Sequence, residues 1–233
     1  MILHPFPAQQ PVELLRRAHE TDRDFSKPVL CQATALFTDL RGFMRLAELY
    51  QNDPAGLLDV LNAHLSTVVR AVTICGGAVE KFMGDGVFAT FGTRRDQPDR
   101  AYRAMAAAIG LVGANEALNR KCAAEWGFRL GVGIGIASGP VVVGRLGAVD
   151  RWELGVVGDA VNIAARLVRL AAPGEVMMTG EVYREVKDKL QSELTTESAV
   201  KGRSGSLEIY RMALLGGRGA LSNGSAELLL GAG

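Results

Sequence analysis

The chain has 233 residues, 48% of them hydrophobic, with 26 basic and 25 acidic residues. This length and composition suit one ordinary globular domain with short additions. The near-zero net charge does not favour a nucleic-acid-binding protein, which usually carries a basic excess. The three cysteines and three histidines are widely scattered, and they predict neither a disulfide framework nor a zinc-type cluster.

The sequence lacks the signals of a secreted or membrane protein. Its N-terminus has no basic segment followed by an apolar one. Its longest apolar run, residues 104–114, is too short to span a bilayer. Cysteines without a pairing pattern are typical of a reducing compartment. We therefore expect a cytoplasmic protein with no membrane segment and no nucleic-acid partner.

The first half of the chain predicts a mixture of helices and strands. Asp53 and Pro54 have the pattern of a helix cap and first turn, and Gly84-Asp85-Gly86 has that of a tight turn between strands. In chain order the predicted elements are a short amphipathic helix over residues 11–25, a strand over 31–39, a helix over 41–50, a longer helix over 55–75 and a hairpin over 78–92.

The second half continues in the same way. Gly139-Pro140 is expected to turn the chain after a glycine-rich strand, and Asp159 has the pattern of a helix N-cap. The predicted elements are a helix over residues 99–122, strands over 128–137 and 152–157, a helix over 160–170, and strands over 175–179, 190–197 and 207–214.

This interspersed order predicts an α+β domain with a central mixed or antiparallel sheet and flanking helices. The domain is expected to cover residues 31–214. Residues 1–30 would form an N-terminal extension or linker. Residues 215–233, rich in Gly, Ala, Ser and Leu, would form a flexible tail.

Two aspartates each stand where a predicted strand ends. Asp39 lies in "LFTDLRGF" and Asp85 in "AVEKFMGDGVFATFG". Either could be purely structural, Asp39 as a helix cap and Asp85 as a turn residue, with Lys81 as a solvated strand lysine. If the two strands are neighbours, however, both carboxylates meet at one edge of the sheet, where they could bind divalent metal ions for phosphoryl transfer. Gly42 would let backbone N–H groups approach a phosphate.

A third polar group lies in "VVGDAVNIAARL". Asn162 and Arg166 are four residues apart and therefore share one face of the predicted helix. They could be ordinary surface residues. The surrounding apolar residues, however, leave this helix little other polar surface.

The motifs "FTDLRGF", "VEKFMGDGVFATFG", "GVGIGIASGPVVVGRLG", "GVVGDAVNIAARL" and "VKG" occur in this order. Together they resemble the catalytic domain of class III nucleotide cyclases, the adenylate and guanylate cyclase family, over about residues 31–214. The resemblance implies a ferredoxin-like α+β fold that works as a head-to-tail homodimer with two composite sites. It also implies conversion of ATP to 3′,5′-cyclic AMP and pyrophosphate.

By the same resemblance, Asp39, Asp85 and the Leu40 carbonyl would bind two divalent cations, Mg²⁺ or Mn²⁺. The resemblance also implies contacts with the substrate's phosphates from Arg129, Lys201, Gly42 and Phe43.

The opposite protomer would complete each site. Asn162 would orient the ribose, and Arg166 would stabilise charge on the α-phosphate. Lys81 stands where adenylate cyclases place a base-reading lysine. The 3′-hydroxyl would attack the α-phosphorus of the same nucleotide with two-metal assistance.

One position departs from the family pattern. Seven residues before Asn162, where adenylate cyclases usually carry Asp or Thr and many guanylate cyclases carry Cys, this chain has Gly155. Lys81 is a donor that suits N1 of adenine, whereas guanine presents N1–H. The pattern therefore favours ATP over GTP, and an aspartate at position 155 is expected to sharpen that preference.

Two alternatives remain open from the sequence. One is a guanylate or relaxed-specificity cyclase. The other is a nucleotide-binding regulatory homologue that no longer turns over, although the acidic pair, Asn162 and Arg166 are all present. The sequence does not identify which signal would regulate the activity.

Overall fold

The computed structural model describes residues 21–189, 196–202 and 205–214. The strands within these ranges are β1 Val29–Arg41, β2 Ala78–Met83, β3 Gly86–Phe91, β4 Gly131–Gly147, β5 Trp152–Val157, β6 Glu175–Thr179, β7 Thr196–Gly202 and β8 Gly205–Ala213. The helices are α1 Phe43–Leu49, α2 Pro54–Ile74, α3 Arg100–Trp126, α4 Asp159–Leu170 and α5 Gly180–Val186, followed by a 3₁₀ turn at Lys187–Lys189.

The strands form one mixed sheet in the order β2-β3-β1-β4-β6-β8-β7, with β5 paired to β4. The β4–β6 pair is parallel, and the other strand pairs are antiparallel. The long central pair, β1 and β4, runs from Val29 opposite Val143 to Arg41 opposite Gly131. The predicted α+β fold with a mixed sheet and flanking helices is confirmed.

Both faces of the sheet are covered by apolar residues. On one face, α2, α3 and α5 pack over a large core that contains Leu36, Phe91 and Ile134. On the other face, α4 packs on β1 and β4. A Cβ at Gly135 would lie 2.3 Å from the carbonyl oxygen of Ala164, so the glycine allows α4 to approach the strand closely.

The predicted helix caps have mixed outcomes. Asp53 caps α2 as expected, because its side chain accepts a hydrogen bond from the backbone N–H of Gly56. The expectation for Asp159 was wrong. Gly158 holds the N-cap position of α4, and Asp159 is the first helical residue, where its charge favours the helix dipole.

The expected turn at Gly139-Pro140 was also wrong. Both residues lie inside β4, where Pro140 is opposite Gln32 of β1. On its other edge, β4 pairs with β6 over residues 134–136 and with β5 over residues 142–147. Pro140 falls between these two ladders, where a missing N–H donor breaks no strand pairing, so the strand continues through it.

The C-terminal part of the domain differs from the sequence-based boundaries. The helix α5 follows β6 directly and was not predicted. The penultimate described strand occupies Thr196–Gly202 and pairs with β8 as a hairpin, so it extends past the predicted end at residue 197. Residues 190–195 of the predicted strand lie outside the described residues. Of the helix predicted over residues 11–25, residues 21–25 are described and are not helical, and the others lie outside the described residues. The predicted tail, residues 215–233, also lies outside them.

One described helix, α2, is long and apolar enough to cross a membrane by length and composition alone. The expectation of no membrane segment considered uninterrupted apolar runs and overlooked this helix. In the structure, α2 buries Val60, His64 and Val68 in the main core and packs against α3. Helices with a buried apolar face also occur in the cores of many soluble domains. Length and composition alone therefore do not identify α2 as a membrane span.

Candidate active site

The two aspartates meet at one edge of the sheet. Asp39 lies near the end of β1 and Asp85 in the turn between β2 and β3. The antiparallel pairing of β1 and β3, with Thr38 opposite Val87, brings them together. Burial raises the pKa of the Asp85 carboxyl, and the nearby negative charge of Asp39 raises it further. The expectation that adjacent strands bring these acids together is confirmed.

Asp39 does not cap a helix, since α1 begins two residues after β1 ends, with Gly42 as its N-cap and no side-chain cap bond. Its carboxylate instead pairs with the Arg41 guanidinium. Arg41 also donates hydrogen bonds to the carbonyls of Val168 and Ala171 at the end of α4. This arginine therefore ties the acidic edge to α4.

The donor chemistry of this edge suits a divalent cation. The Asp85 carboxylate, whose negative charge is disfavoured by burial and by Asp39, would be stabilised by a positive charge next to it. The backbone N–H of Leu40 hydrogen-bonds the Asp85 carboxylate and so brings the Leu40 peptide next to it. Among the described residues, no group of three His, Cys, Asp or Glu side chains could hold a metal ion. Two carboxylates are nevertheless enough for Mg²⁺ that also binds substrate phosphates.

The backbone after β1 turns sharply toward α1. Gly42 has φ = 92°, a conformation that favours glycine. Phe43 is the first residue of α1. These two residues lie beside the acidic edge, and their contact with a phosphate remains a prediction.

Asn162 and Arg166 are exposed on one face of α4. The prediction that these two residues share a helix face is confirmed. The opposite face buries Ala160, Ala164 and Val168 against the sheet. Within the ranges that the structure describes, no hydrogen bond or ion pair joins Asn162 or Arg166 to the acidic pair.

Lys81 forms an ion pair with Glu153 of β5, with 2.9 Å between Nζ and Oε1. Gly155 is two residues further along β5 and is opposite Gly144 of β4. A Cβ at position 155 would lie 2.8 Å from the Cβ of Leu146. The expectation that an aspartate at 155 sharpens the ATP preference stays a prediction, and it requires Leu146 to move.

The two predicted triphosphate residues, Arg129 and Lys201, lie on different strands or loops from the two aspartates. Arg129 precedes β4, and its exposed guanidinium pairs with Glu116 of α3. Its carbonyl oxygen would lie 3.6 Å from a Cβ at Gly42, so the backbone at 129 is near the acidic edge. Lys201 lies in β7, in register with Ser206 of β8. Their contacts with substrate remain predictions.

Three residues that the sequence reasoning missed join the site through its supporting contacts. Arg41 and Glu153 are described above. The third is His64 of α2, which is 2% exposed. Among the described residues its Nε2 is buried with no hydrogen-bond partner, and the Asp85 backbone lies close enough to favour the protonated ring. Burial lowers the pKa of His64 to about 4, although the Asp85 backbone opposes the shift. The spacing Val60, His64, Val68 places the histidine on the apolar stripe of the helix and could have revealed its burial.

Comparison with known proteins supports one family. A family model for the adenylate and guanylate cyclase catalytic domain matches residues 27–213. The chain is 30% identical over 188 residues to an adenylate cyclase of Anabaena cylindrica, covering 77% of this chain and 36% of the relative. It is 28% identical over 210 residues to adenylate cyclase 1 of Rhizobium meliloti (strain 1021), covering 89% and 31%. The chain thus spans about a third of the length of these relatives.

Solved structures have the same fold. The adenylyl cyclase CyaB from P. aeruginosa superposes with a TM-score of 0.73 at 30% identity, covering 79% of this chain and 95% of that one. The guanylyl cyclase Cya2 superposes with a TM-score of 0.69 at 29% identity, covering 78% and 92%. The matched sequence, the mixed sheet and the acidic edge agree, and the chain belongs to the adenylate and guanylate cyclase catalytic domain family.

Proposed function

We propose that this chain is the catalytic part of an adenylate cyclase that converts ATP to 3′,5′-cyclic AMP and pyrophosphate. The observation that carries the proposal is the meeting of Asp39 and Asp85 at the sheet edge beside α4. Phosphoryl transfer depends on positioning and on stabilising charge, so a site of carboxylates and cationic side chains suffices without a covalent nucleophile.

In this proposal, Asp39, Asp85 and the Leu40 carbonyl hold two divalent cations, Mg²⁺ or Mn²⁺. Cations bound there would lower the pKa of the substrate's 3′-hydroxyl and offset the charge of the phosphates. Gly42 and Phe43 donate backbone N–H groups to the phosphates. Arg129 and Lys201 add positive charge along the triphosphate.

The exposed face of α4 supplies the second half of each site, from the partner in a head-to-tail homodimer. The Asn162 amide holds the ribose so that the 3′-hydroxyl faces the α-phosphorus. The Arg166 guanidinium stabilises the negative charge that grows on the α-phosphate oxygens during attack. Exposure of both side chains in one protomer leaves them accessible to a nucleotide held by the other.

The base is read by Lys81, whose ammonium donates a hydrogen bond to N1 of adenine. Guanine carries a hydrogen on N1 and would present a donor to a donor. A guanylate or relaxed-specificity cyclase is the second candidate. It is favoured by the absence of a side chain at Gly155 and by the similarity to the guanylyl cyclase Cya2.

Product assays test the proposal. The protein is incubated with ATP or GTP, each with Mg²⁺ or Mn²⁺, and cyclic nucleotides are separated by chromatography. We expect cyclic AMP as the main product and none in EDTA. Cyclic GMP as the main product would support the second candidate. Absence of any cyclic product from a folded dimer would indicate a non-catalytic, nucleotide-binding regulatory homologue.

A further inference from the structure

The ion pair between Lys81 and Glu153 connects two hairpins that are distant in sequence. Lys81 belongs to the β2–β3 hairpin and Glu153 to the β4–β5 hairpin, and their charged atoms are 2.9 Å apart. The proposed base-reading lysine therefore already has an acidic partner in its own protomer.

Strand geometry explains why Glu153 takes this place. Leu154 and Val156 of β5 pack into the core beneath α4, so Glu153 and Gly155 lie on the opposite face of the strand. Glu153 and Gly155 are therefore neighbours on one surface, and only Glu153 carries a side chain that can reach Lys81.

The space beside Gly155 is filled by a neighbouring strand. Leu146 is opposite Glu153 in the β4–β5 ladder. Its Cβ and Cδ2 would lie 2.8 Å and 2.9 Å from a Cβ at position 155. This hairpin therefore has no room for a side chain at 155 as it is packed, whereas the Glu153 side chain is more than half exposed.

We propose that Glu153 supplies the hydrogen-bond acceptor that Gly155 cannot. Lys81 and Glu153 then form an adjacent donor and acceptor that match adenine, with the ammonium donating to N1 and the carboxylate accepting from the 6-amino group. This inference rests on the proposed function, because it assigns the base selectivity of the same site.

The exposure of the pair is compatible with this use. The two side chains are 57% and 58% exposed in the protomer. An ion pair so accessible to water contributes little to stability. A nucleobase can therefore exchange the direct contact for one hydrogen bond to each partner without a large folding penalty.

Equilibrium binding tests the inference without requiring turnover. The ligands are 3′-deoxy-ATP, which lacks the attacking hydroxyl, and the same nucleotide without its 6-amino group, each with Mn²⁺. The wild-type protein should bind the amino nucleotide more tightly, by roughly tenfold or more. Glu153→Ala should bring the ratio of the two dissociation constants close to one. Glu153→Gln keeps a neutral acceptor and should retain part of the ratio.

The matched control is Glu208→Ala. Glu208 forms a similarly exposed ion pair with Arg184, also at 2.9 Å, on β8, which is separated from the Lys81 hairpin by several strands of the sheet. This variant should leave the ratio of the two dissociation constants unchanged. A general effect of removing a surface ion pair would appear in it as well.

Three results would overturn the inference. In the first, Glu153→Ala changes both affinities by the same factor, which means that Glu153 only holds or blocks Lys81. In the second, wild type does not distinguish the two ligands or binds neither. In the third, the wild type binds 3′-deoxy-GTP more tightly than 3′-deoxy-ATP, and Glu153→Ala weakens the binding of 3′-deoxy-GTP most. A wild type that shows the binding ratio but forms no cyclic product would sustain the inference and refute the proposed function.

Discussion

The buried histidine beside the acidic edge makes a quantitative prediction about acid stability. His64 is 2% exposed, and burial lowers its pKa to about 4. In the unfolded chain its pKa returns to about 6.5. The unfolded state therefore binds a proton more readily, and the folded state loses stability as the pH falls from about 6.5 to about 4.

The size of this loss follows from the shift. Each pH unit inside the window costs up to about 1.4 kcal/mol, so the free energy of unfolding should fall by about 2 kcal/mol between pH 7.5 and pH 5 from this residue alone. Other acids titrate in the same range. The effect must therefore be measured as a difference against a variant that cannot titrate there.

His64→Gln is that variant, because its amide is polar and does not titrate. Urea unfolding of both proteins in EDTA, from pH 7.5 to pH 5, gives the free energy of unfolding at each pH. We expect the free energy of unfolding of His64→Gln to fall less steeply with decreasing pH than that of the wild type. Between pH 7.5 and pH 5 its loss should be smaller by about 2 kcal/mol. Parallel curves would refute the reasoning, because they would mean that His64 is not held neutral by burial.

Three further predictions concern the site. Asp85→Asn should abolish cyclisation yet raise the unfolding temperature in EDTA by roughly 1–4 °C. The reason is that it removes a carboxylate whose pKa is raised by burial and by Asp39. A lower unfolding temperature, measured by calorimetry, would contradict this. Lys81→Glu should reduce the ratio of kcat/KM for ATP over GTP, and an unchanged ratio would exclude Lys81 as the base reader. Gly155→Asp alone should destabilise the protein through its clash with Leu146. Adding Leu146→Gly should restore the unfolding temperature and sharpen the ATP preference. Equal unfolding temperatures of the single and double variants would contradict the steric argument.

The sequence predicted most of the central fold because its periodic and turn signals agree locally. Asp53-Pro54 marks the start of α2, and the Gly84-Asp85 turn falls between β2 and β3 as expected. The proximity of Asp39 and Asp85 also followed from two strand ends that belong to neighbouring strands. Turn and cap residues predicted the element boundaries, and the pairing of neighbouring strands predicted that the two aspartates meet.

The errors arise where tertiary pairing overrides a local signal. Gly139-Pro140 reads as a turn, but the gap between two ladders on one edge of β4 accommodates the proline inside a strand. Asp159 has the pattern of a cap, but Gly158 holds that position, and a Cβ there would lie 2.7 Å from the Pro140 carbonyl oxygen. Neither contact can be inferred from a short window of sequence.

The missed site residues have the same cause. Glu153 looks like a solvated strand residue, and only the approach of two separate hairpins shows its contact with Lys81. Arg41 looks like one more surface cation, and its bonds to the end of α4 depend on how that helix packs across β1. Such long-range contacts depend on topology rather than on residue pattern.

The central claim, a nucleotide cyclase whose sites are shared between two protomers, is tested most directly by mixing two inactive variants. Asp39→Ala and Arg166→Ala are tagged differently, exchanged, and the heterodimer is verified by tandem purification. Each variant alone should be nearly inactive. An equal mixture should recover about a quarter of wild-type cyclic AMP formation, because half of the dimers are heterodimers with one intact site of two. Verified heterodimers that fold normally but form no cyclic nucleotide would contradict the account.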